Sequence, residues 1–125
     1  MTPERLAMST PSHPIEGQIV LLAGARASVT LPQLSALLER VHGHLAERRE
    51  SYERRFECIE CPDTVYYLVG IDHWDCVAAD LHLEDREIDA VRRAHEEQFR
   101  RDGRRLDRLA EFETALDIRH PVALG

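Results

Sequence analysis

The sequence predicts a single α+β domain. Three observations predict it. Apolar residues recur at helical spacing over Leu34–Leu45, Trp74–Phe99 and Leu106–Leu116. Between the first two stretches, Thr64–Ile71 (TVYYLVGI) is rich in β-branched and aromatic residues, the composition of a strand. The chain has 125 residues, 43% of them apolar, enough for one modest core.

Residues 1–16 hold Pro3, Pro11 and Pro14 among Ser, Thr and Glu, which predicts a disordered lead-in and a domain over 17–125. Gln18–Ala23 (QIVLLA) is a short apolar run ending at Gly24. Arg26–Leu31 (RASVTL) alternates, with Ala27, Val29 and Leu31 on one face. With Gly24-Ala25 as the turn, the two read as a first antiparallel β-hairpin.

Pro32 suits a first helical turn. Leu34, Leu37, Leu38, Val41 and Leu45 then trace one face of a long amphipathic helix, about 32–52, with Glu39, Arg40 and Glu47–Glu50 on the other. Arg54–Glu60 (RRFECIE) alternates, Cys61-Pro62-Asp63 is a turn, and Thr64–Ile71 follows. This is a second antiparallel hairpin, its second strand buried on both faces.

His73–Phe99 reads as two helices joined by a tight turn. Trp74, Val77, Ala78 and Leu81 form the first stripe, and Ile88, Val91, His95 and Phe99 the second. Asp72 caps the first helix, with Asp75 in its first turn. The second is capped near Glu84, where Leu83 and Ile88 can form a hydrophobic staple. Gly103 breaks the pattern. Leu106, Leu109, Phe112 and Leu116 make a further helix, and Ile118–Leu124 a C-terminal strand that Pro121 confines to an edge.

The net charge of −7 argues against a nucleic-acid footprint over the whole protein. No apolar run is long enough to span a bilayer, and no apolar segment follows Arg5, so a cytoplasmic protein without a membrane role is expected. Three cysteines without an export signal argue against a disulfide framework.

Cys58-x2-Cys61-x11-His73-x2-Cys76 has the spacing of a Cys3His zinc site. An extended Thr64–Val69 carries the chain about 20 Å away, and Gly70–Asp72 brings it back only about 10 Å. No metal and no cofactor is therefore favoured. Cys58 and Cys76 read as small core residues and Cys61 as a turn residue. Cys58-x2-Cys61 lies at a strand end, where no helix dipole lowers a thiol pKa as redox pairs require. His42 and His44 diverge on a helix, and His95-Glu96 opens like a zinc-protease motif but meets Phe99 in place of the second His. With no phosphate loop and no nucleophile motif, the chain is not expected to be an enzyme.

Val77, Ala78, Leu81, Leu83, Ile88 and Val91 match the apolar skeleton of DNA-binding helix-turn-helix units, with His82 where Gly is usual. The same pair resembles the core of death-fold interaction domains, an all-helical fold to which the upstream strands do not belong. The start of the second helix would meet the bases, yet it carries Glu84, Asp85, Glu87 and Asp89. Arg92, Arg93, Arg100, Arg101, Arg104, Arg105 and Arg108 come later, interleaved with Glu96, Glu97, Asp102 and Asp107.

All 16 basic residues are arginine. With DHW at 72–74, AVRRAHEEQ at 90–98 and EFETALDIR at 111–119, the chain resembles a small uncharacterised haloarchaeal protein family over roughly its last 75 residues. The resemblance implies no activity and no site residues. The function expected is a small non-enzymatic cytoplasmic interaction or regulatory module, with a protein partner or a second copy of itself. The alternatives are a helix-turn-helix DNA-binding transcriptional regulator and, third, a zinc-binding module on Cys58, Cys61, His73 and Cys76.

Overall fold

The computed structural model describes residues 13–125. Among them the order is α1 (Gly17–Ala27), α2 (Leu31–Ala46), α3 (Arg49–Arg55), β1 (Glu57–Glu60), β2 (Val65–Val69), α4 (His73–Leu81), α5 (Asp85–Arg105), α6 (Leu109–Leu116) and β3 (His120–Leu124). The strands form one antiparallel sheet in the order β1-β2-β3. The class is α+β as expected, with one hairpin where two were expected.

The first hairpin is replaced by α1. Ile19, Val20, Ala23 and Ala27 are buried at helical spacing. After Gln18 the run Ile19–Ala23 is apolar throughout, so it carries no period that separates a strand from a buried helix. Gly24 is not a turn residue. A β-carbon there would stand 2.6 Å from the Val29 carbonyl oxygen, so glycine is what lets the chain fold back onto the helix. The turn is made at Ser28, left-handed at φ 60, after which Val29 N–H donates to Gly24 O at 2.8 Å. Thr30 then caps α2, its hydroxyl accepting from Gln33 N–H at 3.3 Å.

Leu34, Leu37, Leu38, Val41 and Leu45 are buried on α2. The helix expected to reach residue 52 ends at Ala46, and after a short bend α3 carries Tyr52 to the sheet. There its ring stacks on Tyr67, 5.7 Å between centroids. β2 is buried on both faces. Tyr67 meets α3, while Tyr66 on the opposite face donates its hydroxyl to Asp102 of α5 at 2.5 Å. β3 is an edge strand, with Pro121 opposite Leu68.

His82 closes α4 in the left-handed conformation, φ 57, a region histidine enters more readily than most residues. The turn where glycine is usual therefore forms without it. Asp72 occupies the N-cap of α4, but its side chain accepts no capping bond. A full capping box opens α5, with Glu84 N–H donating to Glu87 Oε1 at 2.8 Å. Gly103 does not break this helix, which runs on to Arg105. α5 is the central element, packed on α1, α2, α4, α6 and β3.

Residues 1–12 of the expected disordered lead-in lie outside the described residues. The remainder of that segment belongs to the domain: His13 and Ile15 are buried, and Glu16 N–H donates to Gln98 Oε1 at 2.8 Å. No single helix among the described residues is long and apolar enough to cross a membrane.

Candidate functional site

α5 buries Val91, Ala94, His95, Gln98 and Phe99 and turns an arginine-rich side towards α1. On α1, Ile19, Leu22, Ala23 and Arg26 fall at i, i+3, i+4 and i+7, one stripe of a helix. On α5, the pairs Arg92-Arg93, Glu96-Glu97 and Arg100-Arg101, then Arg104, recur at the same period. The two stripes face each other across a cleft of about 290 Å³.

Most of the cleft's cations are already engaged. Arg92 donates to Asp89 at 2.6 Å and to Glu96 at 2.9 Å, and Arg93 to Asp89 at 2.8 Å. Arg100 donates to Glu97 at 2.5 Å. Arg101 and Arg105 converge on Glu16, at 3.3 and 2.5 Å. The Arg105 bond, with help from Gln98 and Arg101, outweighs burial and holds the Glu16 carboxyl down at about 2. Arg26 and Arg104 line the same cleft with no carboxylate partner among the described residues. Leu22, in the same lining, is 53% exposed.

The zinc-spaced residues are not gathered. Cys58 is exposed on β1, opposite Tyr67. Cys61 is half-buried, packed against the core beyond the strand, with its N–H donating to Thr64 O at 2.8 Å. His73 and Cys76 do share a cleft, one turn apart on α4. Among the described residues no group of three or more His, Cys, Asp or Glu side chains is placed to hold a metal ion. Cys58 and Cys76 are exposed, which corrects the expectation of small core residues. β1 is an edge strand covered on one face only, and Cys76 points away from the Trp74-Val77 stripe. Burial, then Glu60 and Glu53, raise the Cys58 thiol pKa; burial and then Asp102 raise that of Cys61. Neither thiol is activated.

His95 is buried in the core, where Nδ1 accepts from Ala123 N–H at 3.0 Å and the ring lies 4.8 Å from Trp74. His42 and His44 diverge as expected: His42 meets Gly125, His44 meets Asp80. The reading of Gln18–Leu31 as a hairpin hid α1 as a cleft wall. No local period marked it, because every residue from Ile19 to Ala23 is apolar.

The chain belongs to the family described as Domain of unknown function (DUF8048), which matches residues 13–125. This bears out the resemblance to an uncharacterised family and extends it from the last part of the chain to the whole described domain. No curated protein and no solved structure matches the chain.

Proposed function

We propose that the protein is a small non-enzymatic interaction module of the cytoplasm, and that its α1–α5 cleft receives an acidic, amphipathic segment of a protein partner. The observation that carries this reading is the pair Arg26 and Arg104, unpaired among the described residues, in one cleft with an exposed Leu22. Six of the chain's arginines line this one cleft, in a protein of net charge −7.

Covering Leu22 contributes about 1.5–3 kcal/mol. Each exposed ion pair contributes only about 0–1 kcal/mol. Leu22 therefore supplies affinity, while the arginines select an acidic partner and orient it. A second copy of the chain fits less well. A two-fold contact would set the same arginines against each other.

The test is fluorescence anisotropy with two labelled helical peptides of equal negative charge, Glu-rich on one face and carrying Leu in one peptide and Ala in the other at i, i+3, i+4 and i+7. The Glu/Leu peptide is expected to bind, less tightly at high salt, and both Leu22→Ala and the double change Arg26→Glu, Arg104→Glu are expected to weaken it. Equal binding of both peptides, or binding indifferent to these changes, overturns the reading.

The helix-turn-helix regulator is the second reading. His82 gives α4 and α5 the tight turn such units need, but the acidic start of α5 opposes DNA.

A further inference from the structure

A second cleft, of about 410 Å³, opens on other elements, between α2, α3 and α4. His44, Arg48, Tyr52, Arg55 and His73 lie in its polar lining together with two carboxylates, Asp72 and Asp80, and Phe56 and Val77 form its apolar wall. Two ring nitrogens in this lining, His44 Nε2 and His73 Nδ1, are buried without a hydrogen-bond partner.

Their other ring nitrogens are engaged, and that fixes where the protons sit. Arg48 Nη1 lies 3.0 Å from His44 Nδ1. A guanidinium only donates, so Nδ1 accepts, and the neutral ring carries its proton on Nε2. The Tyr52 hydroxyl lies 2.7 Å from His73 Nε2. Burial, then His120 and His44, hold His73 down at about 4, so its ring is neutral at pH 7. Burial pushes Tyr52 up to about 12, so its phenol keeps its proton. His73 is the hydroxyl's one partner among the described residues, so the hydroxyl donates to Nε2, and the His73 proton sits on Nδ1.

Two N–H groups without acceptors thus line one cleft, with two cations beside them. Arg55 lies over the Phe56 ring, 5.2 Å from its centroid, with no carboxylate partner among the described residues. The nearest carboxylate to Arg48 is Asp80, at 3.7 Å. Asp80 also stands 3.4 Å from His44 Nε2 without making a hydrogen bond. It is a half-exposed competitor for the same donors.

We propose that this cleft is a binding site for a small organic anion, a carboxylate or a phosphate monoester. Its oxygens accept from His44 Nε2–H, His73 Nδ1–H and the Arg48 and Arg55 guanidiniums. Its apolar body lies against Phe56 and Val77. The site is independent of the α1–α5 cleft, and it uses none of that cleft's residues.

The test is nitrogen-detected NMR of the histidine rings together with calorimetric titration, using benzoate, phenyl phosphate and inorganic phosphate as probes. At least one aromatic anion is expected to bind and to shift both His44 Nε2 and His73 Nδ1; which one binds names the head group. Inorganic phosphate is expected to bind at least about tenfold more weakly, a difference of about 1.4 kcal/mol. Arg48→Gln should weaken binding by a similar factor. Asp80→Asn, a substitution at a half-exposed position, should strengthen it, because of the cleft's two carboxylates Asp80 is the one beside the His44 and Arg48 donors. Leu22→Ala should leave it unchanged. Unmoved histidine nitrogens with every probe, inorganic phosphate binding as tightly as phenyl phosphate, or weaker binding in Asp80→Asn, overturns the proposal.

Discussion

Gly103 lies so close to the ring of Phe112 that a β-carbon on it would stand 2.9 Å from Cδ2 and 3.1 Å from Cγ. Phe112 is fully buried, and it stacks on Phe99 of α5 at 4.3 Å between centroids. Two effects therefore compete in Gly103→Ala. Helix propensity favours alanine by about 1 kcal/mol. Forcing a methyl group into a filled core costs about 1–3 kcal/mol. The ring is held between two helices and cannot retreat as a flexible side chain would. The expected outcome is net destabilisation in urea unfolding. A more stable Gly103→Ala protein would mean that α6 can shift without loss.

Leu38 is 1% exposed on the inner face of α2. Leu38→Ala is expected to cost about 2–5 kcal/mol, the transfer of the side chain plus the cavity it leaves. A change below about 0.5 kcal/mol in urea unfolding would contradict the burial of this face.

The gap between sequence and structure follows from where the period was unambiguous. Leu34, Leu37, Leu38, Val41 and Leu45 could only be a helix face, and within the expected second hairpin Glu57–Glu60 pairs with Val65–Leu68, whereas Arg54 and Arg55, expected in its first strand, end α3. QIVLLA had no period to read, and the glycine beside it drew the wrong inference: Gly24 and Gly103 both looked like stops, and both sit inside helices where something packs on them. Close packing by Val29 O or Phe112 is a tertiary fact that no local pattern carries. The arginines of the α1–α5 cleft were visible, but the apolar wall that gives them a use was not, because α1 was read as strands. The His73–Tyr52 contact spans α3 and α4 and had no sequence signal.

Acid should destabilise the protein through its buried histidines. Burial holds His95 down at about 3 and His73 at about 4, both below the ordinary value of 6.5. A depressed histidine binds its proton more readily in the unfolded chain. Its contribution is therefore fully present above about pH 6.5 and falls as pH drops towards the folded pKa. In that window each such histidine removes up to about 1.4 kcal/mol per pH unit. Glu16, held at about 2, acts in a lower window, with stability lost as pH falls below about 4.5. Trp74 is 3% exposed beside both His73 and His95, so its emission reports unfolding: blue-shifted when native, red-shifted when unfolded. Urea midpoints followed this way are expected to fall between pH 7 and pH 4.5, and His73→Gln should flatten the fall. A flat profile over that range would show that neither ring is held neutral.

The central helix pair is a packing unit and is not expected to dock duplex DNA. A recognition helix presents its first turns to the base edges and uses its free amides and basic side chains on phosphates. In α5 those first turns are acidic and self-satisfied. The Glu84 and Glu87 side chains close the capping box on the helix's own amides. Asp85 adds a further exposed charge, and Arg86, the one cation of the first turn, lies 3.6 Å from Glu84. The next arginines, Arg92 and Arg93, are about 10 Å further along at the helical rise, and both are bonded to Asp89. Beyond them Arg100, Arg101 and Arg104 turn into the cleft with α1. Freeing Arg92, Arg93, Arg100 or Arg101 for phosphate would break an ion pair and leave the carboxylate beside the DNA, so most of the electrostatic gain that drives DNA affinity is cancelled at its source. The expected result of a selection from random duplexes at moderate salt is no enriched sequence, with at most weak, salt-sensitive retention. A reproducible motif, lost in the double change Arg92→Glu, Arg93→Glu while the Trp74 emission stays native, would reverse this conclusion and make α5 a reading helix.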